Sequence, residues 1–409
     1  IIVYEFINTL QRYNSFLNMQ QPWPNFSLIS LILRKFAHQL ITQMRIKYLI
    51  LSIMLSLSAT WDVTAQDETL LNFGVLTRFD YQREYIDGSP IRENSGFKGK
   101  NLSVYFNGDL TPRLSYFYRQ RLNRAHKDES FFNATDFLYL TYKPTEHWYF
   151  SAGKQTVSIG GYEYDLAPID SYFVSEFSNN IDCYQLGASI SFLFNDRNDE
   201  LVFQFCQSPF RDIAGKEDTY SYNLLWSGAY NWFKPLWSVN MVEYAQGKFI
   251  NYIALGNMFS FGDASFFVDV MNRSMLKDPS FFLDFTVVGK FMYDICDHVS
   301  VFAKASHDHN KINSSTDPSV MPGTSITRAG GGFEFFPLKL NKDLRIHAVF
   351  CKTFGSNGNP DGALVDKQTY ANIGLSWRMN LLSFQNSRKH VQLFLFSTKD
   401  KIMLSIVTL

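Results

Sequence analysis

Between Ile159 and Ile181 the chain sets four acids, Glu163, Asp165, Asp170 and Glu176, among Tyr162, Tyr164, Tyr172, Phe173 and Phe177, and the stretch holds no Lys or Arg. Carboxylates without counter-charges, lining a narrow wet passage, stabilise cations and the positive poles of polar solutes. The rings beside them could stack on sugars, although loop aromatics more often pack a loop against a wall. A second chemically capable group is basic: Arg119 and Arg121, two apart in one alternating run, with Arg78, Lys154 and Arg328 elsewhere. Histidines at 126, 147, 298, 307 and 309 raise the possibility of hydrolysis, which would need a Ser and a carboxylate on neighbouring strand ends. No nucleophile motif accompanies them, and no catalytic residue is assigned. His307-Asp308-His309 could hold a metal weakly, but Cys183, Cys206, Cys296 and Cys351 lack the close spacing of a zinc site. Neither a metal nor a cofactor is expected, and all four cysteines read as unpaired strand residues.

The elements that must position these groups are strands. The 409 residues are 46% hydrophobic and 17% aromatic but only 19% charged, below the roughly 25% of ordinary soluble domains. From Leu70 onward no apolar run approaches the 18 or so residues of a membrane helix. Two-residue alternation recurs instead, the period of a strand with two unlike faces. In the first such run Leu71, Phe73, Val75, Phe79 and Tyr81 share one face, and Asn72, Gly74, Arg78, Asp80 and Gln82 the other. Counting ladders from here through 131 to 143, 147 to 158, 219 to 232, 235 to 246 and 298 to 307 to the last at 369 to 382 gives about sixteen. That even number suits an all-β, transmembrane antiparallel barrel.

The connections sort by parity. After even-numbered strands they are short and turn-like, as at Thr111-Pro112, Lys143-Pro144-Thr145, Lys234-Pro235 and Gly262-Asp263; after odd ones several are long, notably Glu84 to Gly96, Ile159 to Ile181, Asp308 to Ser325 and Ser356 to Lys367. Short periplasmic turns alternating with long external loops are the pattern of an outer-membrane barrel. Arg119 and Arg121 then belong on the lumen side, because an Arg on the lipid face at the midplane costs about 2 to 4 kcal/mol. The same alternation gives Arg78, Asn101, Ser103, Arg328, Glu334 and Arg378 as lumen candidates. Lys154 falls on the lipid phase of Trp148, Phe150 and Ala152 unless a bulge intervenes.

At the ends, residues 1–43 read as an upstream extension. Met44 opens a secretory signal: Arg45 and Lys47, an apolar run from Tyr48 to Leu57, and small residues before Gln66, giving a leader at 44–65. The barrel proper is expected over 66–382, where 29 Lys plus Arg meet 35 Asp plus Glu, a net charge of −6 hidden by the neutral total. Asn372, Gly374, Trp377 and Met379 look like the terminal β-signal that insertion machinery reads. Residues 383–409 read as an appendix, with Val391 to Phe396 as an alternative last strand. No basic field for nucleic acid is apparent.

Phe137-Leu-Tyr-Leu-Thr-Tyr-Lys-Pro-Thr-Glu-His-Trp148, leading into Ala152-Gly-Lys-Gln155, and the closing Asn372-Ile-Gly-Leu-Ser-Trp-Arg378 resemble the phosphate-selective porin O and P family of Gram-negative outer membranes. The resemblance spans Leu70 to about Leu382. It implies a homotrimeric channel of roughly sixteen strands whose third external loop folds inward, the place that strand counting gives Ile159 to Ile181. It also implies a cationic constriction, whereas this loop is acidic, so phosphate specificity is not carried over. The expectation is a passive diffusion channel for small polar or charged solutes, cations favoured if the acids dominate. Its partners would be outer-membrane lipid, small hydrophilic solutes or ions and the barrel insertion machinery. A barrel hydrolase, or a structural or adhesion barrel without a conducting pore, are the alternatives.

Overall fold

A computed structural model describes residues 69–124, 131–215, 218–275, 282–312, 317–338, 342–385, 391–398 and 401–408. The upstream extension and the leader read from residues 1–65 lie outside the described residues, as does His126. Sixteen long strands follow one another around a closed antiparallel barrel. They are β1 (Thr69–Ile86), β2 (Gly96–Thr111), β3 (Leu114–Arg121), β4 (Thr135–Tyr142), β5 (Trp148–Thr156), β6 (Tyr184–Phe194), β7 (Asp199–Gln207) and β8 (Tyr220–Gly228). The second half comprises β9 (Phe233–Ala245), β10 (Lys248–Phe261), β11 (Ala264–Met275), β12 (Asp284–Cys296), β13 (Val299–Asn310), β14 (Thr324–Phe335), β15 (Leu344–Ser356) and β16 (Gln368–Gln385). Closure is made by β16 on β1, paired from Thr69↔Gln385 to Ile86↔Gln368 with register shifts at Thr69/Leu71 and Phe73/Gly74. A closed ladder leaves no edge to satisfy, the condition for strands to cross a bilayer.

Polarity is inverted relative to a soluble protein. Phe79, Phe203, Val239, Phe350 and Ile373 are each about half exposed or more on the outside, while Arg78, Asn101, Ser103, Asn240, Asp269 and Asp308 are buried inside. Inward amides pair with each other: Asn240 donates to Asn223 at 2.8 Å and Asn223 to Gln204 at 3.0 Å, a rung across β9, β8 and β7.

Four details depart from the sequence reading. Lys234-Pro235 is not a turn but the start of β9, because Pro235 pairs with Asn257 of β10 while the ladder to β8 begins only at Leu236, where no proline N–H is missed. β13 runs on to Asn310, so His307, Asp308 and His309 are strand residues and not the start of a loop. The last strand extends three residues past Leu382 to Gln385, and Val391–Thr398 pairs with Lys401–Thr408 in a separate two-stranded sheet, not in the barrel. Lys154 is buried, although its phase is that of exposed Trp148, Phe150 and Ala152: Gly153, at φ 130°, breaks the alternation, and the Lys154 ammonium reaches the Phe132 carbonyl at 3.1 Å. Only glycine adopts that backbone freely.

Gly374 is required for a different reason. A Cβ there would lie within 2.4 Å of Asp80 Oδ1 and 2.7 Å of His347 Nε2. The Asp80–His347 pair, 3.1 Å apart and fully buried, crosses the strand at that point.

Candidate functional site

The long segment after β5, residues 157–183, turns into the barrel. It forms α1 (Tyr162–Asp165), a 3₁₀ turn (Pro168–Asp170) and α2 (Glu176–Asn179), each too short to be stable alone. The wall supplies what the turns lack. Asp269 of β11 accepts from the backbone N–H groups of Tyr162 and Glu163 at 2.8 and 2.7 Å, and Asp308 of β13 from those of Glu176 and Phe177 at 2.9 and 3.2 Å. Each aspartate thus caps the open N–H groups at a helix start, where a negative charge also meets the dipole favourably. At the entry, Gly160 N–H donates to Ser238 Oγ of β9 at 2.8 Å and Asn240 donates to the Ser158 carbonyl at 2.8 Å.

The loop acids do not stand free in the lumen as their density suggested. Glu163 is buried against Lys304 of β13 at 2.7 Å, and Ser175 and Ser178 donate to its carboxylate. Burial pushes the Glu163 carboxyl up, but the Lys304 charge and these hydrogen bonds outweigh it and hold its pKa below the ordinary value. Asp170 pairs with Arg345 of β15 at 2.6 Å and with Arg378 of β16. Glu176, fully buried, accepts from Asn180 Nδ2 at 2.8 Å and from the Leu364 N–H of the connection between β15 and β16 at 3.0 Å. Only Asp165 of the four is exposed, and it lines the open part of the lumen. The sequence expectation of four free acids is therefore corrected: partners more than a hundred residues away neutralise two of them.

The aromatics chiefly pack. Tyr164, Phe173 and Phe177 are buried, Tyr164 and Phe177 in one apolar cluster with Val157, Ile159, Tyr252 and Val320. Tyr172 lies flat on Phe302, with Arg78 and Arg345 guanidinium carbons 4.7 and 5.5 Å from its ring centroid and its hydroxyl on Glu334. Tyr162, half-exposed, donates to the Lys234 carbonyl at 2.8 Å. Arg78 completes the hold by donating to the Ser171 carbonyl at 2.8 Å while it pairs with Asp80 at 2.6 Å.

What the loop leaves open is a cavity of about 1230 Å³. One part of its lining is basic: Lys100, Arg119, Arg121, Arg124 and Arg328. Arg119 and Arg121 share a single oxygen of Asp136, each at 3.1 Å. Asp136 faces them because β4 is bulged between the partners of Arg119 and Gln120, which turns it off the lipid phase of Leu138. Two cations on one anion leave a net positive charge beside the cavity. Arg328 is held by Thr353 and Gln368 at 3.1 Å each. The acids that line the cavity besides Asp165 and Glu163 are Glu84, Asp182 and Asp212.

Although its surface is open to the lumen, the protein crowded around Asp165 desolvates its carboxyl and pushes it above its ordinary pKa, and burial does the same for Asp182 against the pull of Arg124 and Lys154. Both therefore take up protons as pH falls before an ordinary aspartate, with its pKa of about 3.9, does so. Acidifying one chamber of a salt gradient is expected to move the reversal potential toward anions ahead of that range. The Asp165→Asn and Asp182→Asn variants should each remove part of the shift.

Sequence reasoning missed Asp136, Lys100, Asp182, Asp269, Asp308 and Lys304 as partners. The inward phase of Asp269 and Lys304 was readable from their neighbours Val268 and Ala303, but not what each would touch. The remaining histidines serve local contacts: His147 and His298 face the Leu193 and Phe336 carbonyls, and His307 faces Thr327. Among the described residues no group of three or more His, Cys, Asp or Glu is placed to hold a metal, and the four cysteines are free.

A closed barrel with an apolar coat, a polar interior and a loop drawn inside it defines an outer-membrane porin channel. Residues 72–268 match the model described as phosphate-selective porin O and P, the family that the sequence motifs resemble. Among solved structures the fold is similar to OmpT of Vibrio cholerae, an outer-membrane-expressed protein, at 14% identity and TM-score 0.51 over 78% of this chain and 100% of that one. It is also similar to the outer membrane channel DcaP of Acinetobacter baumannii, at 10% identity and TM-score 0.53 over 78% and 100%. An anion-selective porin from Comamonas acidovorans aligns at 11% identity and TM-score 0.52 over 77% and 100%. No curated protein matches the chain.

Proposed function

We propose that the protein is a passive diffusion channel for small hydrophilic solutes in which the third external loop is the constriction. The observation that carries this reading is the division of the lumen. Wall residues of β1, β9, β11, β13, β15 and β16 hold the loop, and the cavity of about 1230 Å³ beside it keeps charged groups of both signs in contact with its contents. With Glu163 matched by Lys304, and one of the Arg119 and Arg121 charges by Asp136, four basic charges face four acids, and the pore discriminates weakly between small anions and cations. This removes the cation preference that the loop composition alone suggested. Charged groups of this kind select by field strength along a water-filled path.

The chain reaches its place, in this reading, through a cleaved leader at residues 44–65 and through insertion machinery that reads Asn372, Gly374, Trp377 and Met379 on the closing strand. It works as a homotrimer. One structure of similar fold, at 13% identity and TM-score 0.51, is described as a trimer form of Vibrio cholerae OmpT, which supports that state.

Purified protein in a planar bilayer should give stepwise conductance, with a reversal potential close to zero in a gradient of a salt whose ions are equally mobile. Well-folded protein that gives no steps would remove the channel reading, and a strong preference for either ion would contradict the charge balance.

A further inference from the structure

On the outer face of β12 to β16 and β1, side chains that alternate outward are almost all apolar, as lipid contact requires. The exceptions gather toward the end of the barrel that carries the long loops. They are His307 and His309 on β13, Ser325 and Thr327 on β14, Lys352 on β15, Thr369 on β16 and Arg83 on β1. The pairing register makes them one patch. A single row across the strands reads Val268, Gly289, Ala305, Ala329, Lys352, Thr369 and Tyr85, and the row above it sets Val287, His307, Thr327 and Phe354 side by side.

The outward positions of these six strands include two cations and two histidines but no acid. Lys352 is exposed between Phe350 and Phe354 and has no ion-pair partner among the described residues. His309 Nδ1 is buried and also lacks a hydrogen-bond partner there. Beside Lys352 the small side chains leave a groove of about 510 Å³, bordered by Phe266, Val268, Gly289, Phe291, Ala305 and Ala329 and almost wholly apolar.

A lone lysine on a lipid-facing strand is unfavourable unless its charge finds a counter-charge at the membrane surface. We propose that this face binds an anionic lipid of the outer leaflet, with its phosphate at Lys352 and His307 and an acyl chain in the groove over Gly289, Ala305 and Ala329. Charge complementarity selects the occupant: a phosphate-bearing lipid supplies both the negative head that Lys352 lacks and an apolar tail for the groove. This face lies on the outside of the barrel, apart from whatever passes through it.

The test is native mass spectrometry of the full chain released from detergent after incubation with phosphatidylglycerol or phosphatidylcholine of identical chains. Phosphatidylglycerol should be retained preferentially. Lys352→Met should lower its retention about fivefold, the effect of one basic residue at a membrane surface, and His307→Gln should lower it in the same direction. Ala305→Leu, which fills the groove, should reduce retention of both lipids. Equal retention of the two lipids by the unaltered protein, or unchanged retention in Lys352→Met, would overturn the proposal. So would full displacement by inorganic phosphate at matched concentration, which would make this a phosphate site only. Loss of oligomers in Lys352→Met without a change in lipid would assign the face to a second copy and also defeat it. Folding is checked by heat-dependent gel mobility, and unchanged conductance steps in Lys352→Met keep the result independent of the pore.

Discussion

In the Lys304→Met protein the third loop should come loose from the wall, with larger and noisier conductance steps and a lower thermal transition. Lys304 is the only cation that touches Glu163 in the described structure, and both side chains are almost completely enclosed. Removing one member of a buried pair strands the other's charge, at about 3 to 5 kcal/mol. The loop has few other ways to absorb that penalty without moving, because the same lysine also donates to the Phe173 carbonyl at 2.6 Å. The double change Glu163→Gln with Lys304→Met removes both charges and should recover most of the stability and the quieter steps. Equal noise and equal thermal transitions in the single and double variants would show that the ion pair does not hold the loop.

The second large effect is one of sign. Arg121→Gln removes a charge that lines the cavity and should move the reversal potential toward cations. Asp136→Asn, only 3.1 Å away, should move it toward anions by freeing the charges of Arg119 and Arg121. One elementary charge at about 8 Å in water contributes about 0.5 kcal/mol, so each change should alter the local concentration of an ion about twofold. Asp136→Asn should also lower the thermal transition, since two guanidinium groups then crowd without their anion. Shifts of the same sign in both variants would contradict the view that this triad sets the field.

Much of the barrel was legible in the sequence because alternation reports directly which face each residue takes, and because turns and loops sort by parity. The number of strands, the inward phase of Arg78, Arg119 and Arg328, and the place of the third loop all follow from that local information. The state of the loop acids does not. Glu163 meets Lys304, and Glu176 meets the Leu364 N–H, across an interior that no periodicity describes. Composition counted four negative charges where the folded loop presents chiefly Asp165. Local backbone exceptions were equally silent: Gly153 reverses the phase of Lys154, and a bulge turns Asp136 inward beside the arginines. Alternation cannot announce its own interruption.

The wall that anchors the third loop is largely distinct from the wall that bears the arginines beside the cavity. The loop is fastened to β9, β11, β13, β15, β16 and β1, whereas Lys100, Arg119 and Arg121 stand on β2 and β3. Substitutions on those two strands can therefore be tried in combination without disturbing the fastenings. A lineage, or an engineer, could retune the charge of this lumen by exchanging a single hairpin while the fastenings of the inward loop are inherited unchanged.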